Sequence, residues 1–197
     1  MLFTYIIVAI TCIVSFMAFK DERLQSKLLL YPFVMRNPKE AYRLITSGFV
    51  HADTAHLAFN MISFYFIGRI LEEQVLSTQQ FIMLYLSGIV VANLPSYYKH
   101  MHNPQYAALG ASGGVAAVLF AFIYIAPWER IYLFFALPIP AIVFAIAYLI
   151  YSYVMGKKGD TSIGHDAHFF GAVYGLVFML ITDPSHGKYF MQQLLNP

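Results

Sequence analysis

Apolar residues run through this chain in long unbroken stretches, each closed by a short polar or charged cluster. Six stretches stand out, at about 2–19, 54–71, 78–95, 112–126, 131–155 and 168–181. A window near 20 apolar residues crosses a hydrocarbon core as one helix, and several of these runs fit. Within them the apolar positions are continuous rather than alternating, which argues against a spanning β-barrel. Pro138 and Pro140 fall inside the fifth run, where prolines free backbone carbonyls and favour a bend. A longer mixed connection separates the first two runs, and its "LLLYPFV" looks interfacial. The final "DPSHGKYFMQQLLNP" reads as a short polar tail, and no internal repeat, low-complexity tract or linker is apparent.

Composition sharpens this picture. Of 197 residues, 59% are hydrophobic and only 11% charged, against about 25% charged in soluble domains. The expected architecture is all-α: a polytopic membrane helix bundle with six transmembrane helices. Residues 1–197 are read as a single membrane domain with no separate soluble domain. The first run lacks a basic start and is followed by "KDER" rather than small residues, so it reads as a retained span. A net charge of +2, scattered along the chain, points to no nucleic-acid partner. Cys12 is the only cysteine, which excludes an internal disulfide.

Counting crossings then groups the polar residues. If all six runs cross, the second, fourth and sixth start on one side of the membrane. His56 and Asn60 open the second, Ser112 the fourth and His168 the sixth, so all four converge beneath one face. Strongly polar groups inside spans are costly and mark function by default. Ser112 alone reads as a helix N-cap, His168 or Asn60 alone as an interhelical hydrogen-bonder. Together they allow more: a serine is a nucleophile when a base takes its proton, and histidine titrates near neutrality. Gly171 and Gly175 in "GAVYG" form a small-residue face, and Gly113, Gly114, Ala116 and Ala117 offer another. His56 and Asn60, spaced i, i+4, share a helix face. They and the Ser112 N–H could receive an oxyanion. No acid is clearly placed to orient His168, since Asp166 and Asp53 lie outside the runs, so a Ser–His dyad is expected rather than a triad.

The motifs "HADTAHLAFNM", "GASGG" and "AHFFGAVYG", in this order on six spans, resemble the rhomboid family of intramembrane serine proteases. The similarity covers roughly residues 40–182, and "YRLITSGFVHAD" resembles the family's entry motif. The resemblance implies a serine endopeptidase that cleaves transmembrane protein substrates within the lipid bilayer. Ser112 would be the nucleophile and His168 the base and acid. His56, Asn60 and the Ser112 amide would form the oxyanion hole, while Gly110 shapes the turn. Gly113, Gly171 and Gly175 would support the packing of the fourth and sixth spans. The fifth span and its following loop, with "LPIP" and "GKKGD", would be gate and cap. No metal and no organic cofactor are implied. One departure stands out: many relatives carry an aromatic residue one turn after the serine, against the histidine ring, and here that position is Ala116. Another side chain must pack His168, or its orientation is looser.

Orientation is contested by charge. Nine of the twelve Lys and Arg, among them Lys20, Arg43, Lys99 and Lys157, fall on the side of Ser112, which by the positive-inside rule faces the cytoplasm. The resemblance implies the opposite face of a bacterial plasma (inner) membrane, and it is preferred here because charges such as Arg43 count less if the first loop is folded. His51, His100, His102 and His165 read as loop residues, with His51 a support for the site, and Trp128 as an interfacial anchor. Three rival functions remain. A histidine metalloenzyme lacks HExxH and a placed acid, and a transporter lacks inverted repeats. The third is a catalytically silent relative that binds membrane clients, for which Ala116 speaks and the Ser112–His168 pair speaks against.

Overall fold

The computed structural model describes residues 1–133, 136–158 and 164–196, without the side chain of Lys158. Helix α1 (Leu2–Lys20) is followed by the short α2 (Glu22–Leu28) and α3 (Arg43–Thr46). The longer α4 (Thr54–Gln74), α5 (Thr78–His100) and α6 (Ser112–Ile125) come next. Strands β1 (Arg130–Leu133) and β2 (Leu137–Pro140) precede α7 (Ala141–Lys158), α8 (His165–Thr182) and α9 (His186–Leu195). The chain folds as an all-α membrane bundle with one small hairpin.

Helix α6 is the axis of the bundle. It is apolar on all sides, which suits a helix with no solvent face, and every residue from Gly113 to Tyr124 is buried. α8 packs against it most extensively, with α5 and α4 on its other sides and α1 outside α4. The α6–α8 contact is backbone on backbone. A Cβ at Gly171 would overlap the carbonyl oxygen of Gly113, and one at Gly175 that of Ala117. α1 runs antiparallel to α4, and Glu72 in the last turn of α4 caps it. Its carboxylate accepts from the N–H groups of Phe3 (2.9 Å) and Thr4 (2.8 Å) and from Thr4 Oγ1 (2.6 Å). That satisfies donors which a helix start leaves unpaired and complements its dipole.

By length and composition, α1, α5 and α8 can cross a membrane, while α6 and the stretch Ala141–Lys157 of α7 are apolar but shorter. α4 has 21 residues but carries Arg69, Glu72 and Glu73 toward its end. The fifth apolar run differs from the expected bent span. Strands Arg130–Leu133 and Leu137–Pro140 pair antiparallel, Arg130 with Pro140 and Leu133 with Leu137, and the helix starts only at Ala141. Proline has no N–H and clashes with a preceding helical turn, so "LPIP" stays extended. Of the "GKKGD" stretch expected to act with the cap, Gly159 and Asp160 lie outside the described residues.

The ends of the chain's polar stretches also differ from expectation. The polar tail forms α9, because Asp183 Oδ1 accepts the His186 N–H at 3.2 Å and Phe190 packs on Tyr124. Leu30, in the stretch read as interfacial, is fully buried and pairs with Ala108 through two backbone hydrogen bonds of 2.8 and 3.0 Å. Arg43 belongs to the fold of that connection. It is buried and donates to the carbonyls of Ser26 (2.7 Å) and Leu29 (3.0 Å) and to Glu40 (2.7 Å). The guanidinium holds the Glu40 carboxyl below its ordinary range.

Candidate active site

The turn before α6 is built for its serine. Gly110 has φ +119°, a conformation that L side chains rarely adopt. A Cβ there would also lie 2.7 Å from Cε1 of His56, so the imidazole rests directly on the turn. The Gly110 N–H donates to the Ser47 carbonyl at 2.9 Å, and Asn93 holds Ser47 Oγ at 3.0 Å. Ser112 is the first residue of α6; the cap position is Ala111, with no side-chain cap. The hydroxyl is therefore not an N-cap, contrary to the reading of Ser112 in isolation. The first intrahelical bond runs from Val115 N–H to Ala111 C=O at 2.9 Å, so the Ser112 N–H precedes the helical ladder and is free of it.

His51 braces this turn from below. It lies in the connection before α4, as expected, yet is 0% exposed. Ser15 Oγ donates its one proton to the Phe49 carbonyl (2.9 Å), so it must accept from His51 Nδ1 (2.9 Å). The other nitrogen, Nε2, is then unprotonated and accepts the Ala111 N–H at 3.2 Å. The ring is neutral and both nitrogens are engaged. Burial, with the His56 ring next to it, pushes the His51 pKa down to about 3. The sequence marked His51 only as a support, because its partners lie 36 and 60 residues away and leave no spacing to read.

His56 and Asn60 stand in the first two turns of α4. Asp53 caps that helix, its Oδ1 accepting the His56 N–H at 2.8 Å, so it is a cap rather than a partner for His168. Asn60 is 3% exposed, and its amide donates to the His56 carbonyl at 3.0 Å; the second amide hydrogen stays available. The His51 and His56 rings meet edge to face at 5.0 Å.

His168 sits in the first turn of α8. Gly113 is wedged between the flanking Ala167 and Gly171, so Ser112 and His168 lie on either side of the tightest helix contact in the bundle. Both are half-buried, and His56 is within electrostatic reach of His168. Among the described residues Ser112 Oγ makes no hydrogen bond; such bonds are commonly long before substrate binds and tighten in the complex. Asp166 pairs with Lys99 at 2.9 Å and so does not orient the base. The ring of Tyr148, from α7, stacks on His168 at 5.9 Å and 23°. This answers the question that Ala116 raised, since the aromatic arrives from another helix. His165 is not a loop residue: it opens α8, is buried, and meets His168 at 5.8 Å. Among the described residues no three His, Cys, Asp or Glu side chains are grouped to hold a metal ion.

The family model for the Rhomboid domain matches residues 38–184, well over half of the chain. The chain belongs to the rhomboid family. With its long apolar helices it is an integral membrane protein. Rhomboid protease GlpG of Haemophilus influenzae is 26% identical over 180 residues, covering 89% of this chain and 88% of that protein. RHOMBOID-like protein 12, mitochondrial, of Arabidopsis thaliana is 29% identical over 154 residues, 69% of this chain. This rhomboid chain spans only 45% of the plant protein's length. Inactive rhomboid protein 1 of Drosophila melanogaster is 29% identical over 104 residues, 52% of this chain and 7% of that protein. Rhomboid relatives thus include one named as a protease and one named as inactive.

Proposed function

We propose that this rhomboid is an intramembrane serine endopeptidase that cleaves transmembrane protein substrates through a Ser112–His168 dyad. The observation that carries the reading is the state of Ser112. Its hydroxyl opens α6 without capping it, half-exposed, one residue from the backbone contact that brings α8 and His168 to α6. Ser112 Oγ attacks a substrate carbonyl while His168 takes its proton. Asn60 Nδ2, the His56 ring and the Ser112 N–H stabilise the oxyanion, acting where charge develops. His168 then protonates the leaving amine, and water resolves the acyl-enzyme. Gly110, Gly113, Gly171 and Gly175 act as structural supports of this site, and no cofactor enters.

Six crossings follow from adding α4, α6 and α7 to the three helices long enough by composition. The packing of α1 on α4 and of α9 on α6 favours one domain over residues 1–197. A bacterial inner membrane is the location proposed, supported by the near full-length match to a bacterial relative. A second reading, a silent client binder, is favoured by the unformed Ser112–His168 hydrogen bond and by the relative named as inactive.

Cleavage of a single-span substrate by purified protein in liposomes, with chelator present, tests the proposal. Wild type should cut, and Ser112→Ala and His168→Ala should not. Cleavage that survives either substitution would overturn the dyad.

A further inference from the structure

Among the described residues no acid holds the base of this site. Asp53 caps α4 and Asp166 is paired with Lys99, and what contacts the His168 ring there is packing. The ring face is covered by Tyr148, with centroids 5.9 Å apart and planes 23° from parallel. Tyr148 is itself held by Phe144 on its own helix (5.6 Å, 29°) and by Phe120 of α6 (5.8 Å). His165 closes the edge of His168 at 80°. Ala116 belongs to a buried cluster with Ala141, Ala145 and Ala172, from α6, α7 and α8. Small side chains from all three helices meet there, and the Tyr148 ring lies beside the base.

We infer that Tyr148 is the positioning residue for His168, and that α7 rather than the serine's own helix supplies it. The inference rests on the reading of His168 as the base. Stacked and tilted aromatic pairs gain beyond their buried area, and the gain is lost when the faces separate. α7 packs chiefly on α8 and only lightly on α6, so the order of the base depends on α7 being docked. A ring carried on α6 would not have that dependence.

Tyr148→Leu fills the space without a ring face, and Tyr148→Phe keeps the face without the hydroxyl. In the liposome assay Tyr148→Leu should lower kcat about tenfold at unchanged KM, an effect of misorientation rather than binding. Tyr148→Phe should retain the wild-type kcat. The rate at which a fluorophosphonate labels Ser112 reads the base without substrate, and it should fall in parallel for the Leu variant. Thermal unfolding of both variants checks that the bundle is intact. Wild-type kcat and labelling in Tyr148→Leu, with His168→Ala inactive, would overturn the inference and leave the dyad standing. An equal loss in Tyr148→Phe would overturn it too, since the stacked face is kept there. Cleavage by His168→Ala would instead remove the dyad reading, and this inference with it.

Discussion

His51 shows how a residue with no chemistry in the reaction can decide whether the reacting turn exists. Its ring joins Ser15 of α1 to the Ala111 N–H, and both bonds are buried. His51→Phe keeps the ring and loses both bonds; Ser15 retains its bond to Phe49, but the buried Ala111 N–H is left unpaired at about 1–3 kcal/mol, and thermal unfolding should show that loss at neutral pH. The pH dependence has a definite sign. The folded pKa is about 3 and the unfolded value about 6.5. As pH falls through that window the unfolded chain takes up a proton that the folded protein refuses, and stability drops by up to about 1.4 kcal/mol per unit. His51→Phe should lack that share of the slope in melting curves recorded from pH 7 to 4. Oxyanion donors belong to this scale as well. Asn60→Ala and His56→Ala should each lower kcat by about 100- to 1000-fold, while wild-type turnover in both would contradict their roles.

Helix contacts obey a simpler logic, and more of it was legible in the sequence. Gly171 and Gly175, four apart on one face, announced a close approach, and the structure lays them on the backbone of Gly113 and Ala117. In an ordinary helix Gly→Ala gains about 1 kcal/mol. Here the new Cβ would stand 2.9 Å from the Gly113 carbonyl carbon, or 2.8 Å from that of Ala117. Backbone cannot rotate aside, so overpacking of about 1–3 kcal/mol or more outweighs propensity. Gly171→Ala and Gly175→Ala should lower the melting temperature. Gly164→Ala, whose Cβ would meet only Ala167 Cβ at 3.8 Å, should not. The fifth apolar run departs from a single bent span because hydropathy does not distinguish strand from helix in a short run. Pro138 and Pro140 decided between them. Tyr148 was invisible for another reason: its pairing with His168 depends on how two helices are rotated, which no local spacing records.

Across the whole molecule, the convergence of His56, Ser112 and His168 followed from counting crossings, and the starts of α4, α6 and α8 do meet. Depth adds a consequence. α6 has 14 residues, about 21 Å at 1.5 Å per residue, against a hydrocarbon core of about 30 Å. On the six crossings proposed above, the serine at its start would be recessed below one interface by up to about 9 Å, shallow enough for water to follow. Mass mapping of products should place the cut within the first turns of a substrate span, near one membrane face; a cut at mid-span would contradict that depth. The central claim is that the Ser112 hydroxyl is activated by His168. The most direct test is to label the purified protein in lipid with a fluorophosphonate, with chelator present, and to locate the adduct by mass spectrometry. The adduct should fall on Ser112 in the wild type and vanish in His168→Ala. No adduct, an adduct elsewhere, or one that persists without His168 would contradict the account.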